Sequence, residues 1–235
     1  MNNTVNLSKR LKETASFVPP GIRFADIGSD HAYLPSYICL SDLTAQAIAG
    51  EVNEGPFQRA RETVSFYNLS DRIDVRLGNG LKVFSPGEVD AVVIAGMGGS
   101  LIRAILEHGS DRMAGTKRII AQPNTDERDV RKWFSTHGYV IMDEVLLEEN
   151  GHIYEIIVGD KHTGRQQLTG KQLLFGPRLL QQKSDLFYQK WEQERKKRHR
   201  IIEQMKHAKV PEAAKIASFE KELLWIKEEV EDDCP

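Results

Sequence analysis

Residues 25–35 read ADIGSDHAYLP, an apolar run that meets one glycine and then sets a hydroxyl, an acid and an imidazole side by side. Gly28 would let the chain turn tightly at the end of a strand, which is where parallel α/β sheets bind ligands. A dinucleotide loop would read G-x-G-x-x-G, because successive glycines admit a pyrophosphate to the backbone at a helix start. Here Gly28 stands alone and Asp30 occupies the loop, where it would repel a pyrophosphate. S-Adenosylmethionine suits the turn better. Its sulfonium is a cation, so Asp26, Gly28 and Ser29 would line its pocket with no opposing charge.

Two later stretches extend that site. AQAIAGEV (45–52) places Glu51 where an acid accepts hydrogen bonds from both ribose hydroxyls, and LGNGL (77–81) offers Asn79 and Gly80 to an adenine edge. Taken singly, Glu51 would start a helix and Asn79 would make a turn. Together they place an acid, an acid and an amide at three successive strand ends, the pattern of a class I methyltransferase cofactor site. Many such enzymes carry Asp at the third position. Asn79 keeps an acceptor for the adenine amino group and adds a donor.

These residues need a scaffold of alternating elements. Apolar runs at 22–28, 45–52, 72–78, 90–96 and 117–123 read as strands, and amphipathic stretches near 33–41, 54–67, 99–108 and 126–137 read as helices. That alternation predicts βαβ units and a parallel sheet. YVIMDEVLLEE and HIYEIIVGD, separated only by Asn150-Gly151, predict an antiparallel hairpin that makes the sheet mixed. A lead helix is expected near 6–17.

After the polar joint KHTGRQQLTGK (161–171) the composition changes. Leu179, Leu180, Phe187, Trp191, Ile201, Ile202 and Met205 recur at helical spacing, Pro211 breaks the pattern, and Ile216, Phe219, Leu223, Ile226 and Val230 resume it. The expectation is an antiparallel helical hairpin, coiled-coil-like, in a separate domain of residues 166–235 that follows a catalytic domain of residues 1–165. The net charge of −2 hides a division: residues 177–209 carry +6 and residues 210–235 carry −5. Arg195, Lys196, Lys197 and Arg198 lie in the densest basic run, which suits either phosphate contact or pairing with the acidic helix that follows. Lys9, Arg10 and Lys12 would add a second patch.

ADIGSDHAYLP, AIAGEVNEGPFQRA, IAGMGG and QPN, in that order, resemble the bacterial tRNA (adenine(22)-N1)-methyltransferase family, TrmK. The resemblance implies a Rossmann-like class I methyltransferase domain, a helical C-terminal domain, S-adenosylmethionine as cofactor, and methylation of N1 of an adenine in tRNA. On the cofactor side it implies Asp26, Gly28, Glu51, Asn79, Gly80 and Gly96. Position 22 rests on the resemblance alone.

Ring N1 of adenine already holds a lone pair, so positioning and electrostatics are the tasks left to the enzyme. Asp30 is the candidate to offset the positive charge that the base acquires, and His31 to orient the base or accept a proton. Asn124 would read the adenine edge and Tyr33 would stack on it, while Met97 gives a flexible apolar contact and Pro123 lines the approach. The structural alternatives are that Asp30 caps a helix starting near Ala32, that His31 only bonds a neighbour, and that Pro123 only ends a strand.

Composition narrows the setting. Hydrophobic residues make up 40% and charged residues 28% of the chain, ordinary for a soluble domain. The longest uncharged run, 91–102, is too short to span a bilayer, and the first 17 residues lack a signal-peptide core. Cys39 and Cys234 have no partners at metal-ligand spacing. A cytoplasmic, metal-free monomer with no membrane contact is expected. The residues also leave open a class I methyltransferase acting on another RNA or a small molecule, and a non-catalytic RNA-binding protein that keeps the fold.

Overall fold

A computed structural model of the chain describes residues 4–164, 166–208 and 212–231. Pro211 and Cys234 lie outside them. Two compact units divide the chain, Met1–Arg178 and Leu179–Pro235.

The first unit begins with α1 (Lys9–Ser16), whose first turn is capped where the Ser8 hydroxyl accepts from the Leu11 amide at 3.2 Å. There follow β1 (Arg23–Ile27), α2 (Tyr33–Ser41), β2 (Gln46–Glu51), α3 (Glu54–Phe66) and β3 (Ile73–Leu77). Next come β4 (Ala91–Gly98), α4 (Gly99–His108), β5 (Arg118–Thr125) and α5 (Glu127–Thr136). The unit closes with β6 (Tyr139–Glu149), β7 (His152–Lys161) and the short α6 (Gly170–Phe175). Each expected strand and helix up to residue 161 is present, with shifts of at most three residues at the ends.

The seven strands form one sheet in the order β3-β2-β1-β4-β5-β7-β6. The first five are parallel, and β7 runs antiparallel to both β5 and β6. The two-residue period of the strands sorts side chains between two cores. Phe24, Ala47, Ala49, Val93 and Ile120 pack on one face with residues of α2 and α3. Ala25, Ile48, Val92, Ile94 and Ile119 pack on the other with residues of α4 and α5. The order reverses direction at β1 and β4, so their carboxyl ends border the crevice where such sheets receive ligands.

The first unit extends past the polar joint because α6 is anchored in a buried ionic cluster. Arg131 of α5 is fully buried; it donates from Nε to Glu144 of β6 at 2.6 Å and from Nη2 to Glu155 of β7. Its remaining nitrogen donates to the carbonyls of Leu173 and Leu174 in α6. Glu144 also accepts from the Arg178 amide at 2.8 Å. Gly176, at φ +93°, must stay without a side chain, since a Cβ there would lie 2.7 Å from the Glu144 carboxylate.

The second unit holds a short α7 (Leu179–Gln182) and the two long helices α8 (Asp185–Lys206) and α9 (Ala213–Glu231). Leu179, Phe187, Trp191, Ile202 and Ile226 are its buried apolar residues among those described.

Arg131→Ala would strand two buried carboxylates. It is expected to lower unfolding stability by about 3–5 kcal/mol, read from urea denaturation of the full chain.

Candidate functional site

The ends of five neighbouring parallel strands present the predicted residues in one row. Asn79 and Gly80 follow β3, Glu51 closes β2, Gly28 to His31 follow β1, Gly96 and Met97 end β4, and Pro123 and Asn124 end β5.

At β1 the backbone makes an unusual turn. Gly28, Asp30 and Ala32 all have positive φ, at 71°, 56° and 54°. Left-handed geometry at Asp30 and Ala32 is uncommon for residues with side chains and is held here by neighbours. The amides of Gly28 and Ser29 both donate to the Gly50 carbonyl, at 2.9 and 3.2 Å, and the Asp30 amide donates to Glu51. Glu51 therefore does not begin a helix: α3 starts three residues later, behind Asn53. Nor does Asp30 cap one. The residue before α2 is Ala32, with no side-chain cap.

Asp26 lies beneath this turn, 4% exposed, and accepts from the Ser29 hydroxyl at 2.5 Å. Burial, reinforced by the Glu51 carboxylate and opposed by the Ser29 hydrogen bond, raises its pKa to about 7. Glu51 is raised as well, chiefly by burial. Two buried carboxyls side by side with one hydroxyl and one amide between them form a site short of positive charge.

The side chains beyond the turn face outward. Asp30 pairs with His31 Nδ1 at 3.1 Å and has the Arg59 guanidinium of α3 at 4.0 Å. His31 and Tyr33 stack with ring centres 5.1 Å apart and planes 6° from parallel, and Tyr33 is exposed. Across the crevice, Gly28 is pressed by Met97, whose terminal methyl occupies the space a Cβ would need. Asn79 is exposed and precedes a 3-10 turn (Gly80–Val83) with no side-chain cap.

At β4 and β5, Gly96 has φ +78°, and its two backbone groups are held by side chains. Its amide donates to Gln122 Oε1 at 3.0 Å and its carbonyl accepts from Asn124 Nδ2 at 2.8 Å. Asn124 is exposed. Pro123 is buried and in register with Met97, so it belongs to the floor of the crevice. Gly99 permits closest approach: a Cβ there would overlap the Asp126 carbonyl.

With that geometry in place, the comparisons are direct. The TrmK family model, tRNA (adenine(22)-N(1))-methyltransferase, matches residues 24–228. The chain belongs to the TrmK family. It is 44% identical to the tRNA (adenine(22)-N(1))-methyltransferase of Bacillus subtilis (strain 168) over 210 residues, 88% of each chain. The crystal structure of the B. subtilis M1A22 tRNA methyltransferase TrmK superposes with a TM-score of 0.89 at 41% identity, covering 96% of this chain and 99% of that one. M. capricolum TrmK, solved with the cofactor product S-adenosyl-homocysteine, gives 0.82 at 27% identity, covering 96% and 98%.

The basic run behaves unevenly. On α8, Lys196 and Lys197 are exposed, with Glu192 and Glu194 beside them on the same helix. Arg195 pairs with Glu192 at 2.8 Å. Arg198 is mostly buried, donating to Glu194 and to Glu222 of α9 at 3.2 Å, with its guanidinium 5.8 Å from the Trp191 ring. Of the second patch, Lys12 is exposed but Arg10 is turned inward to Gln122. Among the described residues no group of three or more His, Cys, Asp or Glu would hold a metal ion, and no helix is long and apolar enough to cross a membrane.

The sequence reading passed over Gln122, Arg59 and the Arg131 cluster, and it placed Arg10 in a surface patch where the structure turns it to Gln122. Gln122 had a visible signal, a polar residue inside the strand IIAQP that has to be bonded if buried. The others acquire meaning only from partners distant in the chain.

An Asp whose folded pKa exceeds its unfolded value of 3.8 holds its proton longer when folded, so its presence lowers stability as pH rises from about 4 to about 7. Asp26→Asn removes that loss and keeps an acceptor for Ser29. Its stability relative to the native chain is expected to increase over that window and level off above pH 7, by at most ~4 kcal/mol. Urea unfolding at pH 5 and pH 8 measures it.

Proposed function

We propose that the protein transfers a methyl group from S-adenosyl-L-methionine to N1 of adenine 22 in tRNA, in the cytoplasm and as a monomer. The observation that carries this reading is the row of side chains across the strand ends, acidic at β1 and β2 and amide-bearing at β5, in a chain of the TrmK family.

The acidic end fits the cofactor. Asp26 and Glu51 are buried carboxyls short of positive charge, which suits a ligand with a cationic amino group and two ribose hydroxyls. Gly28, Ser29, Asn79, Gly80 and Gly96 complete that side of the crevice. When bound, S-adenosyl-L-methionine supplies an electrophilic methyl on a sulfonium.

Residues of the other side receive the base. N1 is hidden in a paired adenine, so the target is unpaired or extruded, at a cost of roughly a few kcal/mol. Tyr33, extended by the stacked His31, offers an aromatic face to it, with Met97 as an apolar wall. Asn124 meets its polar edge. N1 attacks with its own lone pair and needs no strong base, and the product base is a cation. Asp30, exposed beside His31, is placed to offset that charge as it develops. Arg195, Lys196 and Lys197 would contact tRNA phosphates, while Arg198 holds the two helices that present them.

Nucleoside mass spectrometry of tRNA incubated with enzyme and cofactor is expected to show N1-methyladenosine, mapping to position 22; another product or position would overturn the reading. Asp30→Asn should reduce turnover roughly 10- to 100-fold with cofactor affinity unchanged. Calorimetry for binding and single-turnover methylation for rate check the two halves separately. Lys196→Gln with Lys197→Gln should weaken tRNA binding and flatten its dependence on salt by about one to two units of slope. An unaltered slope in a filter-binding titration would remove this helix from the footprint.

A further inference from the structure

The amide of Asn124 is fixed by a relay that begins on α1. Gln122 is fully buried, and its Oε1 faces two groups that can only donate, the Gly96 amide at 3.0 Å and the Arg10 guanidinium. Its Nε2 must then face acceptors, and it does: the Pro123 carbonyl at 2.9 Å and Asn124 Oδ1 at 3.3 Å. Asn124 is determined in turn. Its Nδ2 donates to the Gly96 carbonyl at 2.8 Å, which leaves Oδ1 on the side of Gln122. Each step is set by groups of one polarity only, so neither amide can flip without placing donor against donor or acceptor against acceptor.

Arg10 is itself held. It lies over the Tyr154 ring, 5.2 Å from the centre, and α1 is anchored by the Lys9 amide donating to Glu149 at 2.5 Å. A charged donor on Oε1 strengthens the chain of bonds beyond it.

We propose that Arg10 and Gln122 are positioning residues that lock the Asn124 amide so that its carbonyl oxygen, with one lone pair taken by Gln122, receives the exocyclic amino group of the target base on the other. The inference rests on the proposed base-edge role of Asn124. An amino group flanks N1 in adenine. Accepting from it fixes the ring beside the methyl donor and leaves the N1 lone pair free. A purine that lacks the amino group has nothing to give this oxygen. The relay is thus a device for selecting adenine as well as for orienting it.

The test compares tRNA carrying adenine with tRNA carrying unsubstituted purine at the target position. The native enzyme is expected to favour adenine strongly in kcat/KM. Arg10→Met and Gln122→Glu should each reduce adenine methylation roughly tenfold or more, leave purine methylation within about twofold, and keep cofactor affinity by calorimetry. Arg10→Lys, which retains a charged donor, should recover part of the preference. Arg10 is half-buried on a surface helix, so its variants test the relay even where Gln122→Glu fails to fold. Equal loss on both substrates, or no loss on either, overturns the inference while Asn124→Ala still loses adenine selectively. If Asn124→Ala itself keeps the adenine preference, the base-edge role falls and the relay with it.

Discussion

A carboxylate buried at the end of the central strand is costly unless a positive or donating group meets it, and this constraint organises the catalytic unit. Asp26 sits under the first turn, with Glu51 beside it on the next strand, and only one hydroxyl and one amide lie between them. Ionising Asp26 costs the folded chain stability, yet the turn keeps it, and Glu51 holds the Asp30 amide in place. Three residues in left-handed geometry, two of them not glycine, hold the loop in place over them. The strained turn and the buried carboxyls are thus parts of one arrangement, each held by the other.

The same unit shows how buried charge looks when it serves the fold. Around Arg131, each guanidinium nitrogen has an acceptor, and Glu144 takes a further backbone donor from Arg178. That cluster is closed: it joins α5, β6, β7 and α6 and presents nothing to a ligand. The contrast with Asp26 and Glu51 lies in their partners and not in burial, since all five side chains are nearly inaccessible.

How much of this was legible depends on the distance between cause and effect along the chain. Strands and helices through residue 161 followed from local period and turn residues, and Gly28, Glu51 and Asn79 could be placed because each lies at or just beyond the end of its own strand. The turn after β1 was harder. Asp30 has the composition of a helix cap, but its amide donates to Glu51, 21 residues on, and the residue that precedes α2 is Ala32. Gln122 was visible as a polar residue in an apolar strand, though its partner Arg10 lies 112 positions away. The extent of the first unit was illegible for the same reason. The joint at 161–171 looks like a linker, yet the carbonyls that α6 offers to Arg131, the Gln166 side chain accepting from the Ile141 amide and the Arg178 amide donating to Glu144 tie this stretch to the sheet.

The helical hairpin shows why a basic run is not a single kind of object. Arg198 lies between Glu194 and Glu222 with Trp191 beneath it, so its charge serves packing between helices and is shielded from solvent. Lys196 and Lys197, two and one positions earlier, extend outward, where pairs with Glu192 and Glu194 on the same helix are weak enough for a phosphate to displace. Neighbouring positions on a helix point about 100° apart, so a run of four cations cannot present one uniform face. The charges such a helix turns outward are the subset that its packing against the neighbouring helix does not enclose, and Glu222 of α9 takes Arg198 out of that subset.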